Sequence, residues 1–297
     1  MSAHAPLWRT VYTATETQFD NQYVPLLTGP QTEKKLVNFV DELVDINSTT
    51  QRIRLLLDFA KSGFTNAEHD LLDQLSIDQL EQDAVRIRPL SYEFHKNFHA
   101  ALDQRSVMKA GVTEKFKTLR EELSEHGRPH QLNSDIAPSK LGVCALLMDW
   151  KDGKPRFVET VRAKNLAIFP DTRHASFSGG VERQDLTNES QTLSDLIARA
   201  AVRECKEEIG IDVPTSCVTV LGAWREMERC SVQTFAIAEV SDLEAVEFSL
   251  DPKELQSCRI RPLAEGLLKN PFGRAKSAEL EFLEKLLETM KLQPSGQ

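Results

Sequence analysis

Residues 203–211 read Arg203-Glu204-Cys205-Lys206-Glu207-Glu208-Ile209-Gly210-Ile211, and this stretch decides the fold. The residues around it predict an amphipathic helix, because apolar side chains recur at three- and four-residue spacing: Leu196, Ile197, Ala200, Ala201, Cys205 and Ile209. Thr192 or Ser194 can cap the start of this helix, and Gly210 suits the left-handed position just past its end. The stretch therefore forms the last turns of a helix.

Three carboxylates, those of Glu204, Glu207 and Glu208, lie on one face of that helix, since successive residues are about 100° apart. They repel one another and oppose the helix macrodipole by roughly 0.3–1 kcal/mol each. Arg203 and Lys206 offset only part of this penalty. Mg²⁺ or Mn²⁺, which prefer oxygen ligands, would remove it. For an arbitrary acidic triplet, the alternative is a solvated acidic face.

The spacing of these residues resembles the Nudix box, a glycine, five residues, a glutamate, seven residues and then R-E-U-x-E-E-x-G-U, where U is a bulky apolar residue. Residues 203–211 match the second half at every fixed position, with Cys205 and Ile211 in the apolar slots. The resemblance implies a Nudix-like α/β/α sandwich with a mixed sheet over residues 138–297. It also implies Mg²⁺ or Mn²⁺ ions held by Glu204, Glu207 and Glu208.

The first half of the box departs from this pattern. Asp195 stands where the glutamate is expected, and Glu189 occupies the glycine position. The nearest glycines, Gly179 and Gly180, follow Ser178, which replaces the proline of a P-G-G turn. Fourteen residues rather than five separate Gly180 from Asp195, so residues 181–194 contain an insertion of nine. Its polar composition predicts a surface loop beside the site.

The flanking sequence supports the same α/β domain. Residues 141–149 read as a buried strand and residues 156–162 as an alternating one, with Asp152-Gly153 as the hairpin turn between them. The remaining predicted elements are strands over 218–224 and 231–240 and an amphipathic helix over 276–290.

The chain is long enough for two domains. We expect a mainly helical N-terminal domain over residues 1–125, a linker over 126–137 and the Nudix hydrolase domain over 138–297. Helical spacing of apolar residues occurs in the N-terminal part over 32–46, 51–59, 67–80 and 112–123. No resemblance assigns this half a role, and a narrowing of the substrate site, homodimerisation or docking of a partner all fit it.

The resemblance implies metal-dependent hydrolysis of a diphosphate linkage in a nucleoside diphosphate linked to another moiety. Glu204, Glu207 and Arg203 would be the catalytic residues, with Arg203 orienting the glutamates by charge-assisted hydrogen bonds. Alternatively, Arg203 forms an ordinary salt bridge on the helix. The general base would be a box glutamate, most naturally Glu204, or a carboxylate on a later loop. The loop candidates are Glu226, Glu228, Glu247 and Glu254.

Substrate contacts are predicted from the region before the box. Gly179 and Gly180 would allow close backbone approach, although a simple turn has the same requirement. Arg162 could meet phosphates, as could Arg173. Phe177 and Trp224 could stack on a base, although aromatic residues in strands more often pack in the core. The segment 176–180 is similar to the S-F-P-G-G of coenzyme A diphosphatases, and other diphosphates remain open.

His95 and His99 have the four-residue spacing of a zinc pair, but the intervening residues lack the glutamate of a metalloprotease helix, which favours an ordinary surface or partly buried pair. The five cysteines form no C-x-x-C pair, so neither a disulfide framework nor a structural zinc site is indicated.

The composition limits the setting and the partners. A net charge of −9 argues against general nucleic-acid binding. No run of eighteen apolar residues and no apolar secretory core occur. We therefore expect a cytoplasmic protein whose partner is a small diphosphate, without membrane association and with possible homodimerisation through the N-terminal domain.

Two other classes of function compete with the hydrolase. One is a catalytically weak or inactive Nudix-like protein that binds and senses a metabolite, which the altered first half of the box and the unexplained N-terminal half suggest. The other is a purely structural interaction protein, which would bind no divalent metal. The three intact carboxylates favour the hydrolase, because a pure binding module has no need for three metal ligands.

Overall fold

The computed structural model describes residues 8–9, 23–28, 35–38, 73–80, 84–90, 92–102, 124–125, 128–129, 139–166, 168–187, 192–226, 231–263, 275–290 and 293–294.

Strands dominate the described residues. The strands are β1 (Trp8–Arg9), β2 (Tyr23–Thr28), β3 (Lys35–Asn38), β4 (Gln74–Leu80), β5 (Ala84–Leu90), β6 (Ser124–Glu125), β7 (Arg128–Pro129), β8 (Ser139–Lys151), β9 (Lys154–Arg162), β10 (Arg173–His174), β11 (Phe177–Gly180), β12 (Val218–Glu226), β13 (Val232–Glu239), β14 (Leu255–Pro262) and β15 (Gln293–Pro294). Among the described residues, the α-helices are α1 (Tyr92–Ala101), α2 (Leu193–Ile209) and α3 (Ala278–Met290), with 3-10 turns at Arg183–Asp185, Thr215–Cys217 and Leu243–Ala245.

Strand β8 organises an eleven-stranded sheet whose main path runs β2-β12-β13-β8-β4-β5-β3. It runs parallel to β13 and antiparallel to its other neighbours. Because β8 is 13 residues long, it pairs in turn with β4, with β11 and with β9 along its length. Strand β9 continues this branch to β10 and β14. The predicted mixed sheet is confirmed.

Two hydrophobic cores make the sheet the middle layer of a sandwich. Alternate residues of β8 point to opposite faces, as a strand requires. Val143, Ala145 and Leu147 pack against α2, in a core that includes Leu196 and Ile197. Cys144, Leu146 and Met148 pack on the other face, in a core that includes Leu280, Phe282 and Leu283 of α3. The order of layers is therefore α2, sheet, α3.

Local sequence signals account for the ends of α2. The Thr192 side chain accepts the backbone N–H of Asp195, and the Asp195 carboxylate accepts the N–H of Thr192, which completes a capping box. Gly210 ends the helix with φ 78°, a left-handed conformation that favours glycine. Of the two predicted N-cap residues, Thr192 and Ser194, the structure shows Thr192 as the cap. Within the described residues no helix is long and apolar enough to cross a bilayer.

The predicted strands and helix of the C-terminal half are present. The predicted strands over 141–149, 156–162, 218–224 and 231–240 correspond to β8, β9, β12 and β13, and the predicted helix over 276–290 corresponds to α3. Asp152 and Gly153 form the turn between β8 and β9, with φ of 53° and 71°. Positive φ at both positions matches the right-handed twist of the flanking strands.

Two of the helices predicted in the N-terminal half are strands where the structure describes them, whereas residues Tyr92–Ala101 are helical. Residues 74–80, within the helix predicted over 67–80, form β4, and residues 35–38, within the helix predicted over 32–46, form β3. Strand β4 pairs with β5 and, through Ser76 and Ile77, with β8. These pairings override a spacing that suits a helix locally. The helices predicted over 51–59 and 112–123, and the linker over 126–137 apart from β7, lie outside the described residues.

Candidate functional site

The three box carboxylates lie at one cavity, on the last two turns of α2. Glu204 and Glu208 are buried, with 7% and 4% of their surfaces exposed, whereas the Glu207 side chain is 55% exposed. All three line a cavity of about 510 Å³ together with Ser178, Gly179 and Gly180 of β11. The helix end and the glycine strand therefore form adjoining walls of one site.

Gly179 is required by its closeness to Glu204. A Cβ atom at position 179 would lie well inside van der Waals contact with both carboxylate oxygens of Glu204. Its neighbour Ser178 donates its backbone N–H to Glu208 Oε2 at 3.2 Å. A proline at this position could not make that bond. The serine that departs from the P-G-G pattern thus supplies a donor to the second buried carboxylate.

Arg203 ties these groups together. Its guanidinium donates to Glu204 Oε1 at 2.8 Å, to Glu207 Oε2 at 2.9 Å and to the carbonyl oxygen of Gly180 at 2.7 Å. It also forms a two-point contact with Asp185, at 2.9 and 3.1 Å. The planar, multi-donor guanidinium suits this role in a way that a lysine would not. Arg203 therefore fixes the glycine strand and two carboxylates relative to one another.

Two carboxylates of the inserted loop belong to this arrangement. Asp185 is buried beneath Arg203, and Glu182 lines the cavity with its carboxylate 3.9 Å from the guanidinium. The polar composition of residues 181–194 predicts a surface loop, and the arginine of the box is the one sequence signal for a buried carboxylate partner there. Asp195, by contrast, caps α2 and is exposed, so the arginine pairs with Asp185 instead.

Burial governs the ionisation of the two inner glutamates. Burial raises the pKa of Glu204 to about 7, against the charge and hydrogen bond of Arg203, and repulsion from Glu207 and Glu182 adds to the rise. Burial likewise raises the pKa of Glu208 well above its usual range, helped by repulsion from Glu204 and opposed by Arg162. The protein alone thus leaves its inner carboxylates undercompensated.

Arg162 reaches the same cavity and is held by several contacts. Its Nε donates to the carbonyl oxygen of Ile168 at 3.2 Å, and one terminal nitrogen donates to Ser178 Oγ at 3.3 Å. The other lies 3.7 Å from a carboxylate oxygen of Glu254. The structure therefore brings Arg162 to the cavity that Glu208 and Ser178 line, and its contact with phosphate stays a prediction.

The two aromatic residues predicted to stack on a base lie in the core instead. Phe177 is fully buried in the core beneath α2. Trp224 is 1% exposed and packs edge-on against Phe235 and Phe282, with ring centroids 5.5 and 5.4 Å apart. The alternation of β11 and β12 turns both side chains away from the cavity, so the stacking prediction is wrong for both.

Arg173 also lies away from the site. It is 1% exposed and donates to Glu159 at 2.6 Å, in a buried cluster under α3. Arg259 donates to the same carboxylate at 2.6 Å, and Arg261 also contacts it. Arg173 is therefore a structural residue of the opposite sheet face and not a phosphate contact.

The candidate general bases differ in whether they line the cavity. Glu254 lines it, together with Glu204. Glu226 is buried, accepts a hydrogen bond from Ser231 Oγ at 2.7 Å and is not among the lining residues, while Glu247 is exposed outside the cavity. Glu228 lies outside the described residues. Glu204 and Glu254 are the two candidates that the geometry retains.

A second cluster of metal-binding residue types borders the cavity. Ligand atoms of Cys144, His174 and Glu279 lie within 4.8 Å of one another, and all three residues are buried. His174 is already bonded through both ring nitrogens, to Ser277 Oγ at 2.6 Å and to Ser178 Oγ at 2.9 Å, with Glu279 at 3.3 Å. The cluster is therefore complete as a hydrogen-bonded group, and Glu279 is one lining residue that no motif signalled.

No protein-family model matches the sequence, and no curated protein matches it.

Several solved structures are similar to about half of this chain, at low identity. A NUDIX hydrolase from Alicyclobacillus acidocaldarius is 13% identical, with 52% of this chain and 93% of that chain covered and a TM-score of 0.42. The NUDIX domain of Shewanella oneidensis NrtR, complexed with ADP ribose, is 17% identical over 51% and 88%, with a TM-score of 0.39. A C. elegans Ap4A hydrolase is 16% identical over 50% and 95%, with a TM-score of 0.34. Likenesses of this strength add nothing to the inference about function.

Proposed function

We propose that this protein is a divalent-metal-dependent hydrolase of a diphosphate linkage, acting on a nucleoside diphosphate joined to a second moiety. The observation that supports it is the set of Glu204, Glu207 and Glu208 around one cavity, with two of the three buried and only partly neutralised. Buried carboxylates of this kind are compensated by a bound cation.

The donor set fits Mg²⁺ or Mn²⁺, because it consists of carboxylate oxygens rather than sulfur or imidazole. Glu204, Glu207 and Glu208 would hold the ion or ions. When bound, such an ion neutralises charge on phosphate oxygens and lowers the pKa of an attacking water.

The chain's own residues would orient the reaction. Arg203 fixes the carboxylates of Glu204 and Glu207 by two hydrogen bonds, so their positions do not depend on the substrate. Gly179 and Gly180 allow the side chains of Glu204 and Gln74 to lie directly over the backbone at the metal site. Arg162, between Ser178 and Glu254, would contact a phosphate oxygen.

Hydrolysis requires that a water oxygen form a bond to one phosphorus while the bridging P–O bond breaks. The electron pair of that bond leaves with the departing phosphate, and the proton of the water passes to a carboxylate. Glu204 and Glu254 both line the cavity and are the candidate acceptors. The loss of turnover in Glu254→Gln, with metal affinity unchanged, would assign the role to Glu254.

A diphosphate panel tests the proposal. Purified protein would be incubated with Mg²⁺ or Mn²⁺ and with nucleoside diphosphate sugars, dinucleoside polyphosphates, NAD-type dinucleotides, coenzyme A and non-nucleotide diphosphates. We expect release of mononucleotide or phosphate from at least one, abolished by EDTA and by Glu207→Gln. The matched control is Glu247→Gln, an exposed carboxylate outside the cavity.

The metabolite-binding alternative predicts a different result in the same assay. It requires no turnover on any compound together with tight binding that survives Glu207→Gln. That pair of results would overturn the hydrolase. The cytoplasmic location, the homodimer and the two-domain division remain predictions.

A further inference from the structure

One wall of the cavity comes from the N-terminal half of the chain. Helix α1 lines it with Tyr92, His95, Lys96 and His99, which share one helical stripe because they are three, four and seven residues from the first. Lys140, at the start of β8, lies beside them. This wall carries cationic and imidazole groups, whereas α2 carries the carboxylates.

Strand β4 fixes this wall against the glycine strand. Leu75 donates its backbone N–H to the carbonyl oxygen of Val181 at 2.8 Å, and Arg183 donates its own to that of Asp73 at 2.5 Å. The buried side chains of Leu75 and Ile77 belong to the same core as α2. Strand β4 is therefore built into the site.

Gln74 makes the closest contact. Its amide group lies over Gly180, so that a Cβ atom at position 180 would clash with Gln74 Oε1. Its Nε2 donates to Glu182 Oε1 at 3.2 Å, while Oε1 is buried without a hydrogen-bond donor among the described residues. Gln74 therefore joins the N-terminal wall of the cavity to the glycine strand.

Tyr92 is unusual in its exposure. At 39% it is the exposed large apolar side chain of the described residues, in a cavity wall whose other members are polar or charged. The Lys140 ammonium lies 5.1 Å from its ring centroid, a cation–π distance. The ammonium lies over one face of the ring, so a planar base would stack on the part of the ring that stays exposed and bring an adjoining phosphate to the ammonium.

We propose that the wall formed by α1 and Lys140 is the subsite for a nucleoside monophosphate half of the substrate, with the base on Tyr92 and a phosphate on Lys140 and Lys96. This inference rests on the proposed function, since it places the diphosphate at the carboxylate end. A cavity of about 510 Å³ falls in the range of roughly 300–1,000 Å³ of pockets that enclose drug-sized ligands. An alkyl chain would find no apolar surface on this wall besides Tyr92.

Binding without metal tests the subsite separately from catalysis. Isothermal titration of the full chain with AMP, and in parallel with ribose 5-phosphate, would be carried out in EDTA. We expect Tyr92→Leu to weaken AMP binding about tenfold and Tyr92→Phe to leave it unchanged, because stacking on an aromatic ring is worth roughly 1–3 kcal/mol. Ribose 5-phosphate, which has no base, should bind equally to all three proteins.

A second pair of variants tests the phosphate contact. Lys140→Met should weaken AMP and ribose 5-phosphate alike, whereas the matched control Lys154→Met, an exposed lysine outside the cavity, should change neither. The thermal unfolding temperature of each variant, compared with that of the unchanged protein, would show whether the fold is retained. If Tyr92→Leu or Lys140→Met unfolds at a lower temperature, AMP binding is measured in Tyr92→Phe or Lys140→Arg instead.

Three results would overturn the subsite. They are no AMP binding to the unchanged protein, equal AMP affinity in Tyr92→Leu and Tyr92→Phe, or ribose 5-phosphate binding as tight as AMP. If diphosphates are hydrolysed but AMP affinity does not depend on Tyr92, the proposed subsite is wrong and the proposed hydrolase function is retained. If AMP binding depends on Tyr92 but no diphosphate turns over, the subsite stands and the hydrolase is wrong.

Discussion

Two buried charge clusters lie on opposite faces of the sheet and have inverse compositions. The Arg203 cluster, at the cavity, surrounds one guanidinium with carboxylates: Glu182, Asp185, Glu204 and Glu207. The Glu159 cluster, under α3, surrounds one carboxylate with guanidinium groups: Arg173, Arg259 and Arg261. One cluster has too few cations for its carboxylates and the other has enough.

The pKa directions follow this difference. Burial alone would raise the pKa of Glu159, but the hydrogen bonds of Arg173 and Arg259 and the charge of Arg261 hold it below its ordinary value. The pKa of Glu204 lies above its ordinary value in spite of Arg203. The charge of the Glu159 cluster is therefore compensated within the protein, as in a structural ion network. The Arg203 cluster has an excess of negative charge, as in a site that binds a cation.

Breaking the Glu159 cluster should give the largest effect. Glu159→Gln leaves Arg173 buried without its counter-charge and leaves Arg261 with Glu284 alone, 3.7 Å away. Breaking a buried ion pair in this way typically costs about 3–5 kcal/mol. We expect a loss of that size in the free energy of unfolding by urea, with unchanged turnover per folded molecule. Glu288→Gln, an exposed glutamate on α3, serves as control. A fall in the turnover of the folded fraction would contradict the structural role.

Glu208→Gln should have the opposite pattern. Turnover should fall by roughly 10²–10³-fold, the usual loss when one electrostatic group of an active site is removed. In EDTA the free energy of unfolding should not fall, because a buried charge is removed while an oxygen remains to accept the N–H of Ser178. Urea unfolding of both Gln variants side by side gives the comparison, and a metal-free Glu208→Gln protein as destabilised as Glu159→Gln would refute it.

The pH dependence of the metal-free protein should show Glu204 directly. Its pKa is about 7 in the folded protein against an ordinary 4.5, so the folded state holds the proton more tightly than the unfolded chain. This contribution to stability is complete below pH 4.5 and is lost as the pH rises to 7 and above, by on the order of 3 kcal/mol.

The measurement is urea unfolding in EDTA at several pH values for the unchanged protein and for Glu204→Gln. The difference between the two curves should follow this loss, and saturating Mg²⁺ should remove most of it. A difference that does not vary between pH 4.5 and 7 would show that Glu204 has an ordinary pKa.

The two glycines of β11 should give smaller and separable effects. Gly179→Ala displaces the Glu204 carboxylate, so Mg²⁺ affinity should fall about 10–100-fold, as for changes that disturb the support of a metal ligand. Gly180→Ala displaces Gln74 and should cost about 1 kcal/mol of stability while Mg²⁺ affinity is kept.

Calorimetric Mg²⁺ titration and urea unfolding distinguish the two variants. Gln74→Ala should restore the stability of Gly180→Ala but not the metal affinity of Gly179→Ala. Restoration of both, or of neither, would mean that the two glycines do not serve different neighbours.

The sequence predicted the C-terminal half well because its signals are local. The local signals are the helix cap at Thr192, the left-handed Gly210, the Asp152-Gly153 turn, the apolar run of β8 and the alternation of residues 156–162, and each acts within a few residues. The spacing of the three box carboxylates is also local, since one helix presents them on one face.

The parts that the sequence did not predict depend on distant contacts. Residues 74–80 have apolar residues at a spacing that fits a helix, but Leu75 and Ile77 alternate toward the core once β5 and β8 pair with them. Asp185 became an arginine partner only through the packing of the inserted loop on α2. Phe177 and Trp224 could not be assigned to core or cavity until the faces of their strands were known.

The pairing of β4 with β8 also matters for anyone who shortens this chain. A fragment that begins at residue 138 retains the metal-ligand helix, but it bares the backbone donors and acceptors of β8 at Ser139 and Lys140, where β4 is hydrogen-bonded. Unpaired strand edges of this kind recruit strands from other molecules. We expect such a fragment to aggregate where the full chain stays dispersed, and its inactivity would say nothing about the chemistry of its carboxylates.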